Sequence, residues 1–281
     1  MTEPRHRLMD YVREEIMPHR FCPGCGCGTI LNVFVNAIEE LALNPTRMVC
    51  VSGIGCSSWI PSPYFRSDTL HTTHGRPIAF ATGVKIMRPD LKVVVIAGDG
   101  DVAGIGGNHL IHAARRNIDL SVFMVNNMIY GMTGGQVAPT TPTSVKTSTT
   151  PYRNLEPPFK MADLVAAAGA SYVARYTTYH VFQLKKAMQR AITKNGFSFI
   201  EIVSQCHENY GRRIGLRTGV EFLKMFKQQS VRIAKAKEMS PEELQNKIVI
   251  GELCDLDRPE FVTQLHALTR EQVENLDRGE A

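Results

Sequence analysis

Val93-Val-Val-Ile-Ala-Gly-Asp-Gly-Asp101 and Leu120-Ser-Val-Phe-Met-Val-Asn-Asn127 are two apolar runs that each end in a pair of polar residues. The first opens with four β-branched residues and no polar break, the composition of a parallel strand covered on both faces. It ends in Gly98-Asp99-Gly100-Asp101 and a further glycine-rich turn, and the second run ends in Asn126-Asn127. Between them, Asn108 to Arg116 reads as a helix, so the whole is a strand–helix–strand unit with a right-handed crossover. Ligands of such sheets bind beyond the carboxyl ends of the strands, where both polar pairs stand.

Outward from this unit the pattern repeats. Met48 to Val51 reads as a short buried strand that runs into the glycine-rich loop Gly53-Ile-Gly-Cys-Ser-Ser58. A loop rich in Pro, Ser and aromatics is expected through His71, then a helix of small residues over Gly75 to Met87. On the amino-terminal side, residues 1–20 read as a peripheral arm, and Cys22-Pro-Gly-Cys25-Gly-Cys27-Gly28 as a tight irregular loop. Thr29 is the expected N-cap of a helix carrying Leu31, Phe34, Val35, Ile38 and Leu41 at helical spacing. On the other side, residues 131–158 form one long loop of the kind that is usually functional. Helices are expected near Met161 to Ala168 and Val181 to Lys194, with strands at Ser171 to Ala174 and Phe197 to Val203. From about residue 216, charged helical stretches and the capping box Ser240-Pro-Glu-Glu243 suggest a tail. The fold class expected is α/β: a doubly wound, mainly parallel sheet over residues 1–215, with a C-terminal helical tail over residues 216–281.

Composition narrows the function. At 281 residues, 43% apolar and 21% charged, the chain is an ordinary globular protein. A net charge of +5, without basic residues interleaved with aromatics, gives no reason to expect nucleic acid. Neither a membrane-spanning run nor the apolar core of a signal peptide is evident, so the expected compartment is the cytoplasm. Seven cysteines, an odd number in a reducing compartment, argue against a disulfide framework and for metal or cluster ligation.

Magnesium takes hard oxygen ligands and commonly shares them with phosphate. Asp99 at one strand end and Asn127 at the next can supply two, and the carbonyl of Ile129 a third, while the flanking glycines let the backbone approach a diphosphate. Cys22 and Cys25 make one CxxC pair, a spacing that suits zinc as readily as an iron–sulfur cluster. No second knuckle follows; Cys56 and Cys206 each stand alone after a glycine loop or strand and can join the pair only in three dimensions. Cys50 reads as a buried small hydrophobe; Cys27 and Cys254 carry no role by position.

Gly98-Asp99-Gly100 followed by Asn126-Asn127 matches the thiamine diphosphate motif. Cys22-Pro-Gly-Cys25, Ile54-Gly-Cys56-Ser, His74-Gly-Arg76, Gly98-Asp-Gly-Asp101, Ile111-His-Ala-Ala-Arg-Arg-Asn117, Ile129-Tyr-Gly-Met132 and Pro139-Thr-Thr-Pro142 accompany it. Together they resemble the β subunit of 2-oxoacid:ferredoxin oxidoreductases, over roughly residues 18–215 and again at Arg258-Pro-Glu-Phe261. The resemblance implies a thiamine diphosphate-binding fold in which Asp99, Asn127 and the Ile129 carbonyl hold Mg2+. It implies that Cys56, Ser57, Ser58, His74, Gly98, Gly100, Asp101, Tyr130, Gly131 and Met132 surround the cofactor, with His74 and Arg76 as catalytic candidates. It implies one 4Fe-4S cluster on Cys22, Cys25, Cys56 and Cys206.

Coenzyme A as co-substrate and ferredoxin as electron partner follow from the same resemblance. So does an α subunit carrying the pyrimidine-binding domain, in an α2β2 assembly, because this chain has room for one such unit. The His74-Gly-Arg76 form of its motif is most like the 2-oxoglutarate type, interconverting 2-oxoglutarate plus CoA with succinyl-CoA plus CO2. Trp59 and Gly134 stand where lysine is frequent in relatives, which leaves substrate-binding roles open. The alternatives are pyruvate or another 2-oxoacid, or a nonredox thiamine diphosphate decarboxylase or carboligase.

Overall fold

The computed structural model describes residues 6–278; the outer ends of the expected arm and tail, residues 1–5 and 279–281, lie outside the described residues. Its strands are β1 (Met48–Ser52), β2 (Asp68–His71), β3 (Lys92–Gly98), β4 (Ser121–Asn126), β5 (Tyr172–Thr177), β6 (Ser198–Val203), β7 (Ser230–Arg232) and β8 (Ile248–Asp255). Among the described residues these form one sheet in the order β2-β1-β3-β4-β6-β5-β8-β7. All neighbours are parallel except β5 and β8, which run antiparallel.

The longer helices are α1 (Gly26–Glu40), α2 (Pro77–Met87), α3 (Gly107–Arg116), α4 (Met161–Ala167), α5 (Val181–Thr193), α6 (Gly219–Gln229) and α7 (Phe261–Arg278). They cover both faces, as the continuous apolar strands require. Val94 and Ile96 of β3 point to the layer of α1 and α5; Val93, Val95 and Ala97 point to the layer of α2, α3 and α4. The doubly wound α/β expectation holds.

Three expectations need correction. Helix α1 starts at Gly26 with Cys25 as N-cap, so Thr29 lies inside the first turn and the irregular loop is shorter than expected. The cause is tertiary: Gly26 N donates to Gln205 O at 3.2 Å, and a side chain at Gly26 would meet Ser204 Oγ. The loop expected through His71 contains β2, an edge strand too short and too polar (Asp-Thr-Leu-His) to show apolar periodicity. Beyond residue 216 the chain is helical, as expected, in α6 and α7, but it also supplies β7 and β8, and β8 extends the main sheet beside β5. The tail is anchored by Glu260, 4% exposed, whose carboxylate accepts from Asp119 N, Val262 N and Thr263 N. No helix among the described residues is long and apolar enough to cross a membrane.

Strand order reverses between β1 and β3: from β1 the chain moves out to β2, then returns to lay β3 on the other side. The loops after β1 and β3 therefore diverge and leave a crevice at their carboxyl ends.

Candidate functional site

A cavity of about 240 Å³ fills that crevice. It is lined by the loop after β1 (Ile54, Gly55, Cys56, Ser57), by His74, by Gly98 to Asp101 after β3, and by Asn127 and Ile129 to Thr133 after β4. The motif residues thus meet because each follows a different strand of one parallel sheet. Ser58 is fully buried outside the lining, its hydroxyl without a partner. Arg76 also stands outside it, at the start of α2, with one guanidinium nitrogen 3.4 Å from His74 O.

Asp99 is 2% exposed. Its Oδ2 accepts from Met128 N at 2.9 Å and from the Thr140 hydroxyl. Burial nevertheless lifts its carboxyl from 3.8 to about 6, because these donors only partly replace lost hydration. Asn127 is half-buried, and its Oδ1 accepts from Ile129 N at 3.2 Å. Between them Met128 takes the left-handed conformation, φ +65°. A buried carboxylate short of countercharge beside an amide oxygen, on a turn that exposes backbone, is a donor set of hard oxygens and fits Mg2+.

The glycines around it are needed for space. A Cβ on Gly100 would lie 2.2 Å from the Tyr130 ring, whose hydroxyl donates to Gly100 O at 3.0 Å. Gly55, at φ +136°, has nothing within 4 Å of where its Cβ would be, so the loop after β1 opens onto free space.

His74 Nδ1 lies 2.7 Å from Asp101 Oδ1, which also accepts from Gly75 N. The histidine contact is close but poorly aligned as a hydrogen bond, and Asp101 Oδ2 is buried with no partner. Burial raises the Asp101 carboxyl, opposed by Gly75 N and His74. The Tyr130 ring packs edge-on to His74, centroids 5.9 Å apart. Asp101 therefore orients His74, a pairing that spacing in the sequence does not reveal.

The cysteines gather on the flank of this cavity. Cys22, Cys25 and Cys56 line a second cavity of about 170 Å³ with Arg20, Phe21, Trp59 and Met132. Cys206 abuts Gly131, where a Cβ would sit 3.3 Å from its Sγ. Burial first, then the neighbouring thiols Cys25, Cys206 and Cys22, push Cys56 up to about 11. Burial also raises Cys206, while the N–H groups of Tyr210 and Asn209 partly offset this and Cys25 and Cys22 add to it. Cys56 and Cys206 thus both feel the charge of Cys22 and Cys25.

Among the described residues no three His, Cys, Asp or Glu side chains stand close enough to hold a single metal ion. Cysteine thiolates are the donors that iron–sulfur clusters take, so the donor set fits the expected 4Fe-4S cluster. Cys27 is buried behind Cys25, and hydrogen bonding to it lowers Cys25 to about 7. Cys50 is fully buried, as expected of a small hydrophobe, and Cys254 lies apart on β8, near Ala170 O. All seven are free thiols.

Residues 53–202 match the family model described as thiamine pyrophosphate enzyme, C-terminal TPP binding domain. Over 263 residues the chain is 54% identical to the 2-oxoglutarate synthase subunit KorB of Methanocaldococcus jannaschii, covering 94% of this chain and 97% of that one. It is 50% identical over 277 residues to the subunit of the same name from Methanothermobacter marburgensis, covering 99% and 97%. A solved 2-oxoglutarate:ferredoxin oxidoreductase from Magnetococcus marinus, with 2-oxoglutarate, coenzyme A and succinyl-CoA bound, superposes with a TM-score of 0.84 at 32% identity, over 96% of this chain and 91% of that chain.

Proposed function

The chain belongs to the β-subunit family of 2-oxoacid:ferredoxin oxidoreductases, of the 2-oxoglutarate type, and from that premise we propose that its cavity is the diphosphate half of an active site completed by an α subunit. The reaction is the interconversion of 2-oxoglutarate and coenzyme A with succinyl-CoA and CO2. In the oxidative direction the C1–C2 bond breaks and C1 leaves as CO2. A bond forms between C2 and the coenzyme A sulfur, the thiol proton is released, and two electrons leave singly to ferredoxin. Thiamine diphosphate, when bound, supplies the electron sink for that decarboxylation, and a 4Fe-4S cluster the one-electron outlet.

This chain's residues do the positioning. Asp99, Asn127 and the Ile129 carbonyl hold Mg2+ and through it the diphosphate. Gly98, Gly100 and Gly131 let the backbone close on it, with Ser57, Tyr130 and Met132 as walls. His74, its Nδ1 against Asp101, keeps Nε2 to hold or move a proton on the cavity side. Cys22, Cys25, Cys56 and Cys206 ligate the cluster, and the amides of Asn209 and Tyr210 favour thiolate at Cys206. Both sites fall within residues 1–215, with residues 216–281 as brace. The assembly is α2β2 and cytoplasmic, where reducing conditions suit seven free thiols.

The observation that carries this reading is one cavity at the carboxyl ends of β1, β3 and β4 where Asp99, Asn127, His74 and Cys56 converge. Anaerobic co-purification with the α subunit tests it. Iron and sulfide near four per chain, and CoA-dependent viologen reduction faster with 2-oxoglutarate than with pyruvate, are expected. Iron-free protein, or reduction indifferent to CoA, would overturn it.

A further inference from the structure

Glu201 puts a carboxylate inside β6, 4% exposed, on a strand otherwise built of core residues. Burying a charge is tolerated when its oxygens are engaged. Oε2 lies 2.8 Å from Arg175 Nε and accepts from Ala162 N at 3.2 Å; Oε1 accepts from Asn126 Nδ2 at 2.7 Å.

Asn126 passes the constraint on. It is 6% exposed, and its Oδ1 accepts from Met128 N at 3.2 Å. That N–H is shared with Asp99 Oδ2 at 2.9 Å, and Met128 O accepts from Thr141 Oγ1 at 2.7 Å. Met128 needs such support, because φ +65° is a conformation that residues with side chains avoid. The turn it makes is what brings Asn127 and Ile129 to the same wall of the cavity. Relaxing Met128 to a negative φ would re-aim the residue on either side of it. The two asparagines therefore divide the work: Asn127 lines the cavity, and Asn126 faces away into the sheet, toward Glu201. Arg175 extends the brace to the C-terminal segment, with Nη1 3.4 Å from Val249 O on β8.

We propose that Asn126, held by Glu201, is a positioning residue that sets the Mg2+ affinity of the site by fixing the left-handed turn between Asn127 and Ile129. This rests on the reading of Asp99, Asn127 and Ile129 as metal donors. The experiment uses the assembled complex, stripped of divalent cations and thiamine diphosphate, then titrated with Mg2+ at fixed thiamine diphosphate while cofactor retention and iron content are followed.

Asn126→Ala should raise half-saturating Mg2+ by about tenfold, the lower end of the cost of losing a group that orients a metal ligand, because Asn126 acts through Met128. Retention should be restored at saturating Mg2+, with iron unchanged. Glu201→Gln, which keeps an oxygen for Asn126, should give a smaller rise in the same direction. A Mg2+ dependence unchanged in both variants overturns the proposal. So does retention that saturating Mg2+ fails to restore, since that marks collapse of the pocket. If Asn126→Ala does not assemble, an unchanged Glu201→Gln complex overturns it alone. An unsubstituted complex that retains the cofactor without Mg2+ overturns the metal reading itself, and this inference with it.

Discussion

Asp99→Asn separates what the buried carboxylate does for binding from what it does to stability. Burial lifts this group from 3.8 to about 6, a difference of about 2 pH units, or about 3 kcal/mol at 1.36 kcal/mol per unit. The sign follows from the raised value. Folded protein takes up the proton more readily than unfolded protein, so the ionised form is penalised. The penalty is absent below about pH 4, grows as pH rises to about 6, and is complete at pH 7. The metal-free, cofactor-free assembly should therefore lose stability from pH 4 to 6, with a slope of up to about 1.4 kcal/mol per pH unit from this group.

The substituted amide would carry no charge, but its NH2 would face a donor, since Gly100 N also points at the carboxylate. That mismatch returns about 1–2 kcal/mol, leaving a net gain of about 1–2 kcal/mol for the variant at pH 7. At about 2–4 °C per kcal/mol, the expected rise in Tm is a few degrees. Scanning calorimetry of parent and variant at pH 4, 5, 6 and 7, without and with Mg2+ and thiamine diphosphate, measures both arms. With cofactor present the order should reverse, because ligand at about 100 times Kd adds about 2.7 kcal/mol to the parent alone. A variant less stable than the parent in the metal-free state at pH 7, or one that still retains Mg2+ and cofactor, would show that the Asp99 carboxylate neither carries this penalty nor holds the metal.

Cys56→Ser should strip or convert the cluster, seen as lost iron and visible absorbance, with thiamine diphosphate still bound in the neighbouring cavity by Asp99 and Asn127. His74→Ala should lower kcat/KM by at least about 100-fold, as for a group that moves a proton, whereas Arg76→Ala, outside the cavity lining, should stay within about tenfold; steady-state viologen assays compare them. Gly100→Ala should weaken cofactor binding by displacing the Tyr130 ring, which its Cβ would approach to 2.2 Å; calorimetric titration with thiamine diphosphate reads the loss. Glu260→Ala removes the acceptor of three buried or half-buried N–H groups and should cost about 2–3 kcal/mol, measured by urea denaturation, with the Mg2+ dependence unchanged.

Much of the fold was legible because its signals are local. Val93 to Ala97 is apolar at every position, which is what a strand buried on both faces requires, and Asp99 and Asn127 follow strand ends at which parallel sheets collect ligands. The CxxC pair and the glycine loops declare themselves in the same way. What stayed hidden depends on partners far along the chain. Helix α1 begins three residues before Thr29 because Gly26 hydrogen-bonds to Gln205; β2 is a strand because β1 offers it an edge; β8 joins the sheet beside β5 despite its mixed composition. In the site, local pattern alone shows which residue types stand at the ends of β3 and β4, and that Cys22 and Cys25 form a pair. That Cys56 and Cys206 face that pair, that Asp101 turns toward His74, and that Asn126 faces Glu201 while Asn127 lines the cavity emerges only in the folded sheet. Period and propensity act over a few neighbours, whereas a buried charge, a left-handed turn or a converging thiol is held by groups that only the folded sheet brings within bonding distance.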